Sequence, residues 1–214
     1  MLKQFVVIGL GRFGRSVALS LTSRGHQVLA VDKSETEVDK IVDYVSEAVR
    51  ADAMDEDFLR DIDITAYDAV IVGMATNMEA SILVCMLLRD LGVKNIVAKA
   101  HSRLHGEVLE KIGVNRIIYP EWDMGERVAR MLTSSHKLLD FIELSPDHSI
   151  IEMVAPDKYV GKSLAELDLR VEKGLSVMAI KRGDQVIVGP GGDTEFQAGD
   201  ILVAVGPNDF FPEE

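Results

Sequence analysis

Apolar residues come in short, almost unbroken runs through the first part of the chain: FVVIG (5–9), QVLAVD (27–32), AVRAD (48–52), DAVIVG (68–73), NIVAKA (95–100) and RIIYP (116–120). A strand with one wet face would alternate apolar and polar positions, so runs of this kind predict strands covered on both faces. Between them apolar positions recur at helical spacing over 13–24, 34–45, 55–61, 77–91, 104–112 and 122–133. Strands separated by helices, joined by right-handed crossovers, predict an α/β fold with a Rossmann-like, doubly wound parallel sheet.

Near residue 140 the pattern changes. LDFIEL (139–144), SIIEMVAP (149–156), LSVMAIKRG (175–183), DQVIVGPGG (184–192) and DILVAVGP (200–207) follow one another, with one helical stretch, GKSLAELDL (161–169), among them. Five of the six prolines lie in this part. The reading is a small α+β domain, mostly strands, with a hairpin turn at KRGDQ (181–185). The boundary is placed between residues 1–138 and 139–214. A domain this small has a limited core, so docking onto a second copy is expected.

Composition narrows the classes. The 214 residues are 47% hydrophobic and carry a net charge of −12. Residues 1–140 hold 17 Lys and Arg against 21 Asp and Glu, and residues 141–214 hold 6 against 14. An acidic chain argues against a nucleic-acid partner, which calls for a basic face. No apolar run reaches the ~18–20 residues that span a bilayer, and the N-terminus reads as a first strand rather than a signal peptide. The single cysteine, Cys85, lies in the apolar stretch SILVCMLLRDLG and is expected to be a buried small hydrophobe in a reducing, cytoplasmic setting.

Candidate chemistry centres on VVIGLGRFGRS (6–16). Gly9, Gly11 and Gly14 follow a predicted strand and open a predicted helix, the context in which a glycine turn seats a pyrophosphate on helix N–H groups. Asp32 closes the second strand, where a carboxylate accepts hydrogen bonds from ribose hydroxyls and repels a 2′-phosphate. Arg12 inside the turn supplies a cation for a terminal phosphate, or else is a solvated helix-start residue. Asp52, at the end of the third strand, either lies near the adenine or caps the helix that follows. Lys99 is either a phosphate or an intersubunit contact, and its apolar setting demands a partner. Glu121, directly after Pro120, is either a first-turn carboxylate or a contact to a nucleotide or divalent cation. Phe13, Lys33 and Ala53 belong to the same predicted site as neighbours of these residues. Trp122 and Met124 are expected to pack.

Motifs for catalysis are missing: there is no HExxH, paired-cysteine box, G-x-S-x-G elbow or Walker A loop. His101 and His105 stand four apart, but at a loop-to-helix boundary, and are expected to be solvated or capping rather than metal ligands. The bound nucleotide is therefore expected to set conformation rather than react, with a small NAD-dependent oxidoreductase as the alternative.

With VIGLGRFGRSVA, VLAVDKSE, AVRADAMDE, VAKAHSRLHGEVLEKIGVNRIIYPEWDMGERVA, LSVMAIKRG and DILVAVG in view, the whole chain resembles the cytosolic gating subunits of bacterial Trk and Ktr potassium transporters. These join an RCK N-terminal domain to an RCK C-terminal domain. The resemblance implies dimers assembled into an octameric ring on the cytoplasmic face of an integral membrane potassium transporter, peripheral to the membrane. It implies ATP and ADP competing for the N-terminal site, ATP activating, with NAD(H) able to bind in the family. On this sequence it assigns phosphate to Gly9, Gly11, Arg12 and Gly14, ribose to Asp32, adenine to the neighbourhood of Asp52, and a cation shared across a dimer to Glu121. It further implies a cyclic di-AMP site between paired C-terminal domains, with Arg170 as phosphate contact and Pro190 as a wall. Arg15 departs from the small residue that close relatives carry after the third glycine. A nucleotide-dependent scaffold for another membrane partner is a further alternative.

Overall fold

A computed structural model of the chain describes residues 1–74, 77–133 and 138–208. It forms two compact units, Met1–Asp123 and Met124–Glu214. The boundary expected at 138/139 adjoins residues 134–137, which lie outside the described residues.

The first unit alternates strands and helices: β1 (Gln4–Ile8), α1 (Arg12–Ser23), β2 (Gln27–Asp32), α2 (Glu35–Asp39), β3 (Glu47–Arg50), α3 (Glu56–Asp61), β4 (Ala69–Val72), α4 (Met78–Asp90), β5 (Ile96–Lys99), α5 (Arg103–Ile112) and β6 (Arg116–Ile118). The strands pair in the order β3-β2-β1-β4-β5-β6, all parallel. The order reverses between β1 and β4, which opens a crevice at the carboxyl ends of those two strands. The unbroken apolar runs are explained by burial on both faces: every residue of β4 is buried, as are Val6, Val7 and Ile8 of β1. One face packs Val6, Ile8, Val70 and Val72 with residues of α4 and α5, and the other packs Val7 and Ile71 with Ala18 of α1 and Ile41. Each such side chain contributes about 1.5–3 kcal/mol of burial.

Two helices differ from expectation. The second stops at Asp39, and a 3-10 turn follows at Val42–Tyr44. Ile41 leaves helical geometry (φ −128°) and is fully buried, so anchoring that side chain in the core wins over helix continuation. At α3 the cap is Asp55, whose carboxylate accepts from Asp57 and Phe58 N–H. Asp52 instead closes a local turn by accepting from Met54 N–H at 3.0 Å. Asp55→Ala is expected to destabilise the chain by about 1 kcal/mol in urea unfolding, whereas Asp52→Ala leaves α3 capped.

Helix α6 (Pro120–Thr133) overturns the packing expected of Trp122 and Met124, which are 78% and 55% exposed. Met124, Val128, Met131 and Leu132 are all exposed, at positions i, i+4, i+7 and i+8, so they share one helix face. Within one chain that apolar face is uncovered.

The second unit is a five-stranded antiparallel sheet of β7 (Leu138–Ser145), β8 (His148–Val154), β9 (Ser176–Arg182), β10 (Gln185–Val188) and β11 (Ile201–Pro207), ordered β10-β9-β11-β8-β7. The hairpin at 181–185 forms with Arg182 opposite Gln185 and Gly183 at φ +55°. The single expected helix is two short ones, α7 (Leu164–Leu167) and α8 (Leu169–Lys173), broken at Asp168, which takes a left-handed φ of 37°. β10 stops before Gly189, whose φ of +58° and following Pro190 end the ladder. Asp200, 1% exposed, is held by a two-pronged bond from Arg182 at 2.9 and 2.8 Å, and this pairing holds its carboxyl below the usual range.

Candidate functional site

The predicted residues of the first unit converge on one cleft of about 830 Å³ at the carboxyl ends of the strands. Gly9, Gly11, Arg12, Phe13, Asp32, Lys33, Asp52, Ala53, Lys99 and Glu121 all line it. Gly14 does not, because it lies beneath the turn. A side chain there would strike the carbonyl oxygen of Gly9, so its smallness lets α1 pack on the turn.

The three glycines play different parts. Gly9 has φ +87°, and a Cβ on it would meet the backbone nitrogen of Met74 at 2.8 Å. Gly11 has nothing within 4 Å of where its Cβ would stand, so its bare backbone faces open cleft, a cradle that a side chain would fill. Gly11 is also the N-cap of α1, with no side-chain cap bond and no acidic residue in the first turn. The helix start therefore offers N–H groups and positive potential to an anion, uncontested by the chain itself. Arg12 is exposed at this point, and among the described residues no carboxylate pairs with it.

Asp32 ties the site together. Its Oδ2 accepts the Leu10 N–H at 2.7 Å, and its Oδ1 accepts the Ser34 N–H at 2.8 Å. One carboxylate thus fixes both the glycine turn and the β2–α2 turn, with lone pairs left for hydroxyl donors. Asp32→Asn keeps one acceptor oxygen, so one of these amides loses its bond at a cost of about 1–3 kcal/mol. The expected result is a lower melting temperature together with weaker ADP binding by calorimetry.

At the opposite lip Lys99, only 14% exposed in its side chain, has the partner its setting demands: its Nζ lies 2.5 Å from Glu121 Oε1. The ammonium also sits 5.8 Å from the centre of the Phe13 ring. The Lys99 bond holds the Glu121 carboxyl below its ordinary value, so it is ionised. Within one chain these residues do not fit a cation. The Lys99 ammonium occupies Oε1 of Glu121, and among the described residues no group of three or more His, Cys, Asp or Glu could hold a metal.

Arg15 lies 3.8 Å from Glu37 of α2, which also bonds Lys40. It is therefore a bridge between α1 and α2 rather than a free cation. Gly73, Met74, Asn77, Glu37 and His101 line the cleft without having been expected there. For Gly73 a signal existed: it ends the strand beside β1, and a Cβ on it would stand 2.9 Å from the Gly9 oxygen and 3.2 Å from Gly14 Cα. His105, expected to be solvated or capping, is instead fully buried, with Nδ1 accepting the His101 N–H at 3.2 Å. In the second unit Arg170 is exposed on α8 and Pro190 is half-buried after β10. Their expected site lies between two copies, so one chain positions each residue without assembling the site.

Residues 5–120 match the TrkA-N domain family and residues 149–209 the TrkA-C domain family. The Ktr system potassium uptake protein C of Bacillus subtilis (strain 168) is 41% identical over 206 residues, covering 96% of this chain and 93% of that protein. The crystal structure of the GsuK RCK domain superposes with a TM-score of 0.68 at 20% identity, over 97% of this chain and 45% of that one, a likeness of fold. The NAD(P)-binding domain of an exopolyphosphatase-related protein from Archaeoglobus fulgidus matches at 27% identity and a TM-score of 0.53, over 58% of this chain and 92% of that domain.

Proposed function

We propose, for a chain that belongs to the TrkA/Ktr family of RCK-domain proteins, that it is the regulatory subunit of a potassium uptake system and that an adenine nucleotide in the β1–α1 cleft sets its conformation. Membership in this family makes it a regulator rather than an enzyme. The observation that carries the nucleotide reading is the uncapped start of α1, with Gly11 open to the cleft and Arg12 free of any carboxylate among the described residues. The diphosphate lies on the amides at that helix start, the ribose hydroxyls donate to Asp32, and the adenine lies towards Asp52 and Ala53. Arg12 reaches the terminal phosphate and so distinguishes ATP from ADP. Lys99 is the second cation in reach, released from Glu121 when a phosphate competes for it. A cation on Glu121 requires that Lys99 be displaced or that a second chain supply further ligands.

The partner is a second copy of this chain, then a ring, then the membrane subunit of the uptake system, with the chain peripheral on the cytoplasmic face. In support, α6 leaves an apolar stripe uncovered, and a contiguous exposed apolar face of this kind marks an interaction surface. Among the described residues no helix is long and apolar enough to cross a membrane. Moving a two-state assembly from mostly one form to mostly the other takes ~5.5 kcal/mol of differential binding. A ring of sites supplies that jointly. The proposal extends to cyclic di-AMP in the second unit, with Arg170, which has no ion-pair partner among the described residues, as the phosphate contact and Pro190 as a wall.

Calorimetric titration with ATP, ADP, NADH and cyclic di-AMP, paired with a mass measurement of the assembly, tests this reading. Saturable ATP and ADP binding to an oligomer is the expected result. A monomer that binds none of the four ligands contradicts it.

A further inference from the structure

The nucleotide reading leaves one buried titratable group without a role. His105 stands in the first turn of α5 and is fully buried. Because its Nδ1 accepts the His101 backbone N–H at 3.2 Å, the neutral ring carries its proton on Nε2. That Nε2 has no hydrogen-bond partner among the described residues. The imidazole therefore spends its one accepting nitrogen on the turn between β5 and α5. This turn carries two cleft residues: β5 ends at Lys99, and His101 lines the cleft beside it.

Protonation has nowhere to go without moving that turn. A second ring proton belongs on Nδ1, where it would point at the His101 N–H, donor against donor. The surroundings offer no compensation. The neighbouring His101 acts on the ring electrostatically, and it opposes a positive charge there. Helix α4 packs against α5 and turns Ser81 and Cys85 inward. Burial pushes the Cys85 thiol up to about 12, so it stays neutral. From β6 onward Tyr119 lays its hydroxyl against Gly106, the next residue of α5. Among the described residues no carboxylate is bonded to His105.

We propose that His105 is a positioning residue for the nucleotide cleft: as the neutral ring it fixes the turn bearing Lys99 and His101, and as the cation it releases that turn. Protons and nucleotide then oppose one another. This rests on the nucleotide reading above. The sign follows from burial and His101, which hold His105 below the ordinary histidine value of 6.5. Above about 6.5 both the closed and the opened turn are neutral at this ring, and the closed turn keeps its full advantage. As pH falls below that value the opened turn takes up the proton first, so the closed turn loses ground. His101 also lines the cleft, so a wild-type pH profile alone does not isolate His105.

The test compares the full-length chain with His105→Asn, whose side-chain oxygen can still accept a hydrogen bond but does not titrate. ADP is titrated calorimetrically into both at pH 7.5 and pH 5.5. Protonation of ADP itself is common to the two proteins and cancels in the ratio. Over this interval the closed-to-open ratio of the wild-type turn is expected to fall about tenfold more than that of H105N, and wild-type ADP affinity by up to that factor. A second measurement needs no variant: hydrogen exchange of the wild-type chain, corrected for the intrinsic pH dependence of exchange, should show lower protection over residues 100–105 at pH 5.5. Equal acid losses of ADP affinity in both proteins would overturn the proposal, as would unchanged protection in the wild type. Failure of the wild type to bind ADP at pH 7.5 would instead remove the nucleotide reading, leaving the exchange arm to decide whether the turn opens.

Discussion

Gly14→Ala is expected to abolish measurable nucleotide binding and to lower stability by about 3 kcal/mol or more. The added methyl would run into the carbonyl oxygen of Gly9, with the Gly9 carbonyl carbon at 3.1 Å and Val7 Cγ1 at 3.4 Å behind it. The nearest of these atoms is backbone and cannot swing aside as a side-chain tip would. Helix α1 must move away from the turn, and the moved helix no longer aims its first amides where phosphate is to lie. Gly11→Ala is the informative contrast. Its methyl meets no atom within 4 Å, so the fold should keep its melting temperature while the methyl intrudes on the phosphate position. Thermal melts and ADP calorimetry on the two variants separate the glycine that builds the turn from the one that leaves room above it.

Arg12→Ala is expected to collapse the preference for ATP over ADP while sparing ADP affinity. A charge-assisted bond to a terminal phosphate contributes ~1.5–3 kcal/mol, which is roughly ten- to a hundredfold in the affinity ratio. Stability should hardly change, because Arg12 is exposed and pairs with no carboxylate among the described residues. Competition of ATP against bound ADP reads the ratio directly. Equal losses for both nucleotides would assign Arg12 to the shared diphosphate rather than to the terminal phosphate.

The parts of this molecule that are legible in the sequence are those where one physical demand dominates. Strands β1, β2 and β4 are buried on both faces, and continuous apolar runs satisfy that. The glycine turn is legible because a turn, a close approach and a helix contact each exclude a side chain. Asp32 is visible as the carboxylate that ends β2, but not its bond to Leu10 N–H, which joins residues 22 positions apart. Lys99 announces that it needs a partner, and Glu121 stands out as a candidate carboxylate, yet the pairing itself comes from strand order, which sets β6 beside β5.

Expectation fails where two demands compete. Trp122 and Met124 are apolar, and apolar residues usually pack within their own chain, but α6 turns them outward. A partner that would cover them belongs to an assembly that the pattern of one chain does not contain. His105 is by type a polar residue at a helix start, and the core claims it instead. Asp52 and Asp55 offer the same cap chemistry three residues apart. The helix starts at Glu56, which puts Asp55 at the N-cap.

In the proposed function phosphate groups rest on the start of α1, with Arg12 sensing how many there are. A crystal structure of the chain grown with ATP tests it most directly. The expected result is the diphosphate over Gly11, ribose hydroxyls on Asp32, and the terminal phosphate within hydrogen-bond reach of the Arg12 guanidinium, which in crystals grown with ADP has no phosphate beside it. Adenosine phosphates seated elsewhere, or Arg12 turned to solvent in both complexes, would contradict it.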